Sequence, residues 1–157
     1  MNGIDQLMAI EEIRNLKARY CRGVDQKDTE LLLGVFAPDA VADYRGALTD
    51  PTTGVPPVRD PAMQPTQGRE AIVSGIMRAI AGVVTVHHCA NGEITIESED
   101  SASAIWPMVD RLRRRSGEGF TDTTGYGFYH ESYVRLDGAW KIGLVKLTRL
   151  RVDVVPA

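Results

Sequence analysis

The stretch GREAIVSGIMRAIAGVVTVHHCA, residues 68–90, contains the change of hydrophobic period on which the fold turns. As far as Gly82 the apolar residues recur at helical spacing. Beyond it VTVHHCA follows a two-residue period, the mark of a half-buried strand. Four further segments keep that period: EITIES (93–98), SASAIWPMVDRLRRR (101–115), GYGFYHESYVRL (125–136) and AWKIGLVKLTRLRVDVV (139–155). Turn signals separate them at Asn91-Gly92, Glu99-Asp100, residues 116–124 and Asp137-Gly138.

Upstream, Leu7, Ile10, Ile13, Leu16, Tyr20 and Val24 mark one face of a first helix, with Glu11, Glu12, Arg14, Lys17 and Arg22 on the others. Asp28 reads as the N-cap of a short second helix, TELLLGVF. APDA (37–40) is expected to turn the chain and VADY (41–44) to form a brief strand. Residues 45–66 are too rich in Pro, Gly and Thr for a regular element, and a loop this long suits a lid or a binding loop as well as a connector. Helices first and hairpin-connected strands afterwards predict an α+β fold, with about three N-terminal helices packed on one face of a mostly antiparallel sheet. Residues 1–157 show no internal repeat and are read as a single domain.

A content of 43% hydrophobic and 25% charged residues is ordinary for a globular chain, and a net charge of −3 offers no reason to expect nucleic acid. The basic run RLRRR (111–115) reads as a solvated strand end or a grip for an anionic group. Cys21 and Cys89 have no metal-type spacing and suit free, buried thiols in a reducing cytosol. The N-terminus is too charged for a signal peptide, and no apolar run approaches membrane-spanning length. A cytoplasmic location with no membrane partner is the expectation.

A sheet curved around helices encloses a pocket, and the polar residues aimed into it carry any chemistry. Asp110 shares a strand face with Ala104, Trp106, Met108 and Leu112, where a carboxylate is costly unless paired or functional; a frayed end beside Arg111 and Arg113 is the other reading. Asp25 lies at the C-terminal end of the first helix, against the macrodipole, as a solvated end or as a functional group. Tyr20 lies in the buried stripe and needs a partner for its hydroxyl. His87 and His88 point to opposite faces and cannot grip one metal ion together. With no HxH or HxxxH spacing, no metal site is expected. Parity alone leaves open which histidine faces inward.

ARYCRGVDQKD, VFAPDAV, GREAI, TVHHCANGEITI, SAIWPMVDRL and DGAWKIGLVKLTRLRVD together resemble the SnoaL-like branch of the nuclear-transport-factor-2-like superfamily, over nearly the whole chain. The resemblance implies a cone-shaped α+β barrel, with three helices over a strongly bent sheet. It further implies a dehydratase-type site. A tyrosine and an aspartate five residues apart end the first helix, as Tyr20 and Asp25 do. A histidine opens the strand after the third helix, which selects His87, and an aspartate follows on the next long strand at Asp110. Arg149 matches an arginine near the end of the last strand. A dehydrochlorinase-like arrangement has lysine in place of Tyr20 and arginine in place of Val145, and those departures argue against halide elimination.

On this reading His87 is the general base, its ordinary pKa of about 6.5 suiting removal of an acidic C–H proton. Asp25 orients the imidazole. Tyr20 polarises a carbonyl, and Asp110, held neutral in an apolar wall, donates as well, in the manner of the protonated aspartic acid of ketosteroid isomerase. Trp106, Met108 and Arg149 are expected to contact substrate. The predicted activity is a cofactor-independent dehydratase or isomerase acting on a hydrophobic, hydroxylated or carbonyl-bearing ring compound of steroid, polyketide, terpenoid or aromatic origin. The alternatives are a non-catalytic binding or oxygenase accessory domain, and an epoxide hydrolase using Asp110 with an arginine. Relatives commonly dimerise or trimerise through the outer sheet face, so a homodimer or homotrimer is expected, with Ile94, Ile96, Tyr133 and Val145 as candidate outer residues.

Overall fold

A computed structural model describes residues 2–47, 50–53, 64–117 and 119–155. Asn2 opens α1 (Gly3–Gln26) with a capping box: its side chain accepts from the backbone of Ile4 and Asp5, and Asp5 reaches back to the Asn2 N–H. The buried stripe runs through Ala9, Ile13, Leu16, Tyr20 and Val24. It starts two residues later than expected, at Ala9, because Leu7 is 68% exposed, and it includes Lys17, which sequence placed among the solvated charges. Asp28 caps α2 (Thr29–Val35) through the Leu31 N–H at 2.9 Å, as predicted.

APDA does not turn the chain. It lies inside β1 (Phe36–Asp43), whose register against its parallel neighbour shifts between Phe36 and Val41. That irregularity accommodates Pro38, which has no N–H for a ladder. After β2 (Thr66–Gln67) come α3 (Arg69–Ala79), β3 (Val83–Cys89), β4 (Glu93–Ile96), β5 (Ser101–Ser116), β6 (Gly119–Leu136) and β7 (Ala139–Val155). The turn expected over 116–124 is also corrected. β6 begins at Gly119, and the added residues pair with the end of β5, where Arg113 and Asp122 stand opposite each other and form an ion pair at 2.6 Å. Of the 45–66 loop, residues 48–49 and 54–63 lie outside the described residues, and with them the expectation of a lid or binding loop.

Three helices pack on a curved, mixed and mostly antiparallel sheet of order β2-β1-β7-β6-β5-β3, with β4 beside the first half of β5. Only β1 and β7 run parallel among these pairs. Register shifts between Tyr126 and Gly127 and between Ser132 and Tyr133 add residues to β7 relative to β6. Such bulges bend a strand and increase its twist. The concave side holds the core: Ala104, Trp106, Met108, Tyr129, Tyr133, Ile142, Val145 and Leu147 face α1 and its neighbours. Tyr133 and Val145 therefore do not belong to an outer face, and Ile94 and Ile96 pack against the core. The exposed apolar side chains of the strands instead include Val84, Val86, Ile105, Leu144 and Leu150. No helix among the described residues is long and apolar enough to cross a membrane.

Candidate active site

β3 settles which histidine faces inward. Val83 and Thr85 are buried, His87 and Cys89 follow on that side, and His88 shares the exposed face with Val84 and Val86. His87 pairs directly with Asp110 across the β3–β5 ladder, so both side chains lie on the concave face.

The last turn of α1 delivers Asp25 to the same place. Its carboxylate accepts from the Thr85 hydroxyl at 2.9 Å, the His87 backbone N–H at 2.9 Å and His87 Nδ1 at 2.6 Å. Burial raises the Asp25 pKa, but the hydrogen bonds from the His87 side chain and backbone, the His87 charge and the Thr85 hydroxyl outweigh it and hold the group below its ordinary value. A carboxylate only accepts, so Nδ1 carries a proton, and in the neutral ring Nε2 then keeps its lone pair. Nε2 looks toward Asp110 Oδ2, 4.0 Å away and beyond hydrogen-bond reach.

Asp110 is 3% exposed, on the apolar face that alternation predicted. Arg149 Nη2 donates to its Oδ2 at 2.7 Å, and the Gly125 N–H donates to its Oδ1 at 3.1 Å. Both partners are donors, so both Asp110 oxygens accept in these contacts, where sequence led us to expect a donating acid. Arg149 also donates to the Ala47 carbonyl at 2.7 Å and to Met108 Sδ at 3.3 Å. Asp25, His87, Asp110 and Arg149 thus form one row, drawn from α1, β3, β5 and β7.

The Tyr20 hydroxyl meets that of Tyr44 at 3.0 Å, and burial pushes both phenols up from their ordinary pKa. Two hydroxyls that share one hydrogen bond keep one O–H to donate elsewhere. Trp106 Nε1 donates to Tyr133 at 2.9 Å, Tyr133 donates to Glu131, and Glu131 holds Lys17 at 2.5 Å. Lys17 Nζ lies 3.5 Å from the centre of the Tyr129 ring. A cleft of about 450 Å³ is walled by Lys17, Cys21, His87, Cys89, Asn91 and Trp106, among others. Of the expected residues it touches His87 and Trp106, whereas Tyr20, Asp25, Met108, Asp110 and Arg149 are not among its walls. Among the described residues no group of three or more His, Cys, Asp or Glu side chains could hold a metal ion.

Sequence reasoning passed over Thr85, Tyr44, Lys17, Glu131 and Gly125. Glu131 alternates with Tyr129 and Tyr133, so the parity argument that found Asp110 applies to it equally. The GYG at 125–127 has a steric role: a Cβ on Gly125 would lie 2.4 Å from both Asp110 Oδ1 and Arg149 Nη1.

A family model described as SnoaL-like domain matches residues 5–146. Among solved structures, the chain is similar to a candidate scytalone dehydratase from Novosphingobium aromaticivorans, with a TM-score of 0.78, 20% identity and coverage of 99% of this chain and 93% of that one. A hexachlorocyclohexane dehydrochlorinase of type 2 gives a TM-score of 0.79 at 17% identity, covering 99% and 95%. A type 3 enzyme of that name from Novosphingobium barchaimii gives 0.72 at 19%, covering 99% and 96%. At these identities the likeness extends to the fold.

Proposed function

This chain belongs to the SnoaL-like domain family, and from that premise we propose that it is a cofactor-independent lyase of the dehydratase type, with isomerisation open to the same base. The observation that carries the reading is the 2.6 Å contact between Asp25 and His87 Nδ1, which favours the tautomer of the neutral ring whose lone pair is on Nε2, the nitrogen turned toward a second carboxylate. In a hydrophobic ring compound with a hydroxyl β to a carbonyl, Nε2 takes the α-proton. The C–H electron pair moves into the enolate and then forms the C=C bond as the β-hydroxyl departs as water, carrying the proton that the imidazolium returns to it. The imidazolium so formed lies between Asp25 and Asp110, whose charges stabilise it. The proton left over on the Tyr20–Tyr44 pair is the donor for the carbonyl oxygen. Trp106 supplies apolar wall, and Arg149 holds the Asp110 carboxylate in place.

The test is turnover of a panel of cyclic β-hydroxy ketones, read as loss of water and appearance of enone absorbance. His87→Ala should cost on the order of a hundredfold or more in rate. Undiminished turnover in that variant removes the proposal. A second reading, water addition to an epoxide, is favoured by the Asp110–Arg149 pair at 2.7 Å, and it predicts diol formation that depends on Asp110 and Arg149 more than on Asp25. A purely carrier role is less favoured, because binding an apolar ligand needs no buried Asp–His contact. On the same proposal the protein works in the cytoplasm as a homodimer or homotrimer joined through the face that carries Val84, Val86, Ile105 and Leu144.

A further inference from the structure

The two cysteines are 68 positions apart, yet Cys21 Sγ and Cys89 Sγ lie 3.6 Å from each other, both half-buried. They are the only cysteines in the chain. We propose that they form a modification site, a dithiol that hydrogen peroxide or a related two-electron oxidant converts reversibly into an intramolecular disulfide joining α1 to β3.

Three observations support this. The sulfurs are already in contact, and a disulfide of about 2.05 Å asks the two side chains to close by roughly 1.5 Å. The elements bearing them are clamped close by: Asp25, one turn after Cys21, holds the backbone and ring of His87, two residues before Cys89. Both thiols also wall the cleft, which gives a small oxidant access. The thiol–thiol hydrogen bond lowers the Cys89 pKa against the opposing effect of burial, and Lys17 favours the thiolate further while Glu131 and Asp110 oppose it. The same bond, with burial, raises Cys21. The disulfide formed is the same whichever of the two sulfurs attacks first.

The chemistry balances. One cysteine thiolate attacks one peroxide oxygen, the O–O bond breaks, and the departing hydroxide takes a proton to become water. The sulfenic acid left on that cysteine is attacked by the other sulfur as it loses its proton. The S–O bond breaks and a second water leaves. Sulfur loses two electrons overall and peroxide gains them. An external dithiol reverses the step by exchange.

The experiment is peroxide titration of the full chain, followed by denaturation, alkylation and intact-mass measurement. The expected product has lost two hydrogen atoms, takes up no alkylating agent, regains both thiols after dithiothreitol and runs as a single chain on a non-reducing gel. In Cys21→Ser and Cys89→Ser the remaining thiol should instead gain oxygen. Phenylarsine oxide gives a second measurement: one equivalent should bridge the wild-type thiols, with none retained by either variant. Two alkylatable thiols in the treated wild-type chain, oxygen adducts like those of the variants, or disulfide-linked dimers would each overturn the proposal. None of these readouts depends on the reaction the protein catalyses.

Discussion

Gly125 stands directly across from Asp110 in the β5–β6 ladder, and its missing side chain is what admits the Arg149 guanidinium to that carboxylate. Gly125→Ala places a methyl group 2.4 Å from a carboxylate oxygen and a guanidinium nitrogen that have little room to yield. A loss of about 1–3 kcal/mol in urea unfolding is expected, together with reduced turnover. Gly143→Ala is the control. Its Cβ meets neighbours at 3.6–3.7 Å, ordinary contact distances, and its stability should change by about 0.5 kcal/mol or less.

Removing Arg149 leaves Asp110 buried beside an apolar wall without its counter-charge. Arg149→Met should cost about 3–5 kcal/mol, and Arg149→Met with Asp110→Asn should recover a large part of it. Arg149→Lys is expected to rescue poorly, because one ammonium cannot reach Ala47, Met108 and Asp110 in the fork geometry of a guanidinium. Chemical denaturation of the three variants checks this. A fully stable Arg149→Met would contradict it.

Lys17 and Glu131 present the same physics away from the row of catalytic candidates. Both side chains are at most 2% exposed, so Lys17→Met should destabilise by about 3–5 kcal/mol. The double variant Lys17→Met, Glu131→Gln should be clearly more stable than the single one, the mark of a coupled pair in a double-mutant cycle. Additive losses would show that the two charges do not depend on each other.

The Asp25 clamp is also pH-dependent. Its folded pKa is depressed below the ordinary value of 3.8, so its contribution to stability is fully present above that value. It is lost as pH falls through the lower folded value, where the carboxylate protonates and gives up its bonds to Thr85 and His87. Asp25→Asn should flatten the fall in stability below about pH 4, measured by urea unfolding at a series of pH values. An unchanged acid limb would show that other carboxylates govern it.

Much of this molecule is legible from local pattern. The period change after Gly82 locates the sheet, alternation puts Asp110 on the buried face of β5, and Asp28 announces the start of α2. Local pattern misleads where a strand is irregular, at APDA within β1, or where polar residues pair with partners across a ladder, as Asp122 does with Arg113. Lys17 looks like a solvated charge because nothing near it in sequence reveals Glu131, 114 positions away.

Sequence by itself determined the three helices, the order of the later strands and the buried face of β5, because side-chain period is a property of neighbouring residues along one chain. Tertiary structure decided what alternation left open: that His87 rather than His88 faces inward, that Arg149 rather than Arg111 or Arg113 meets Asp110, and that two distant cysteines touch. These outcomes depend on register between strands and on the bulge beside Gly127. A one-residue slip there would send every side chain to the opposite face.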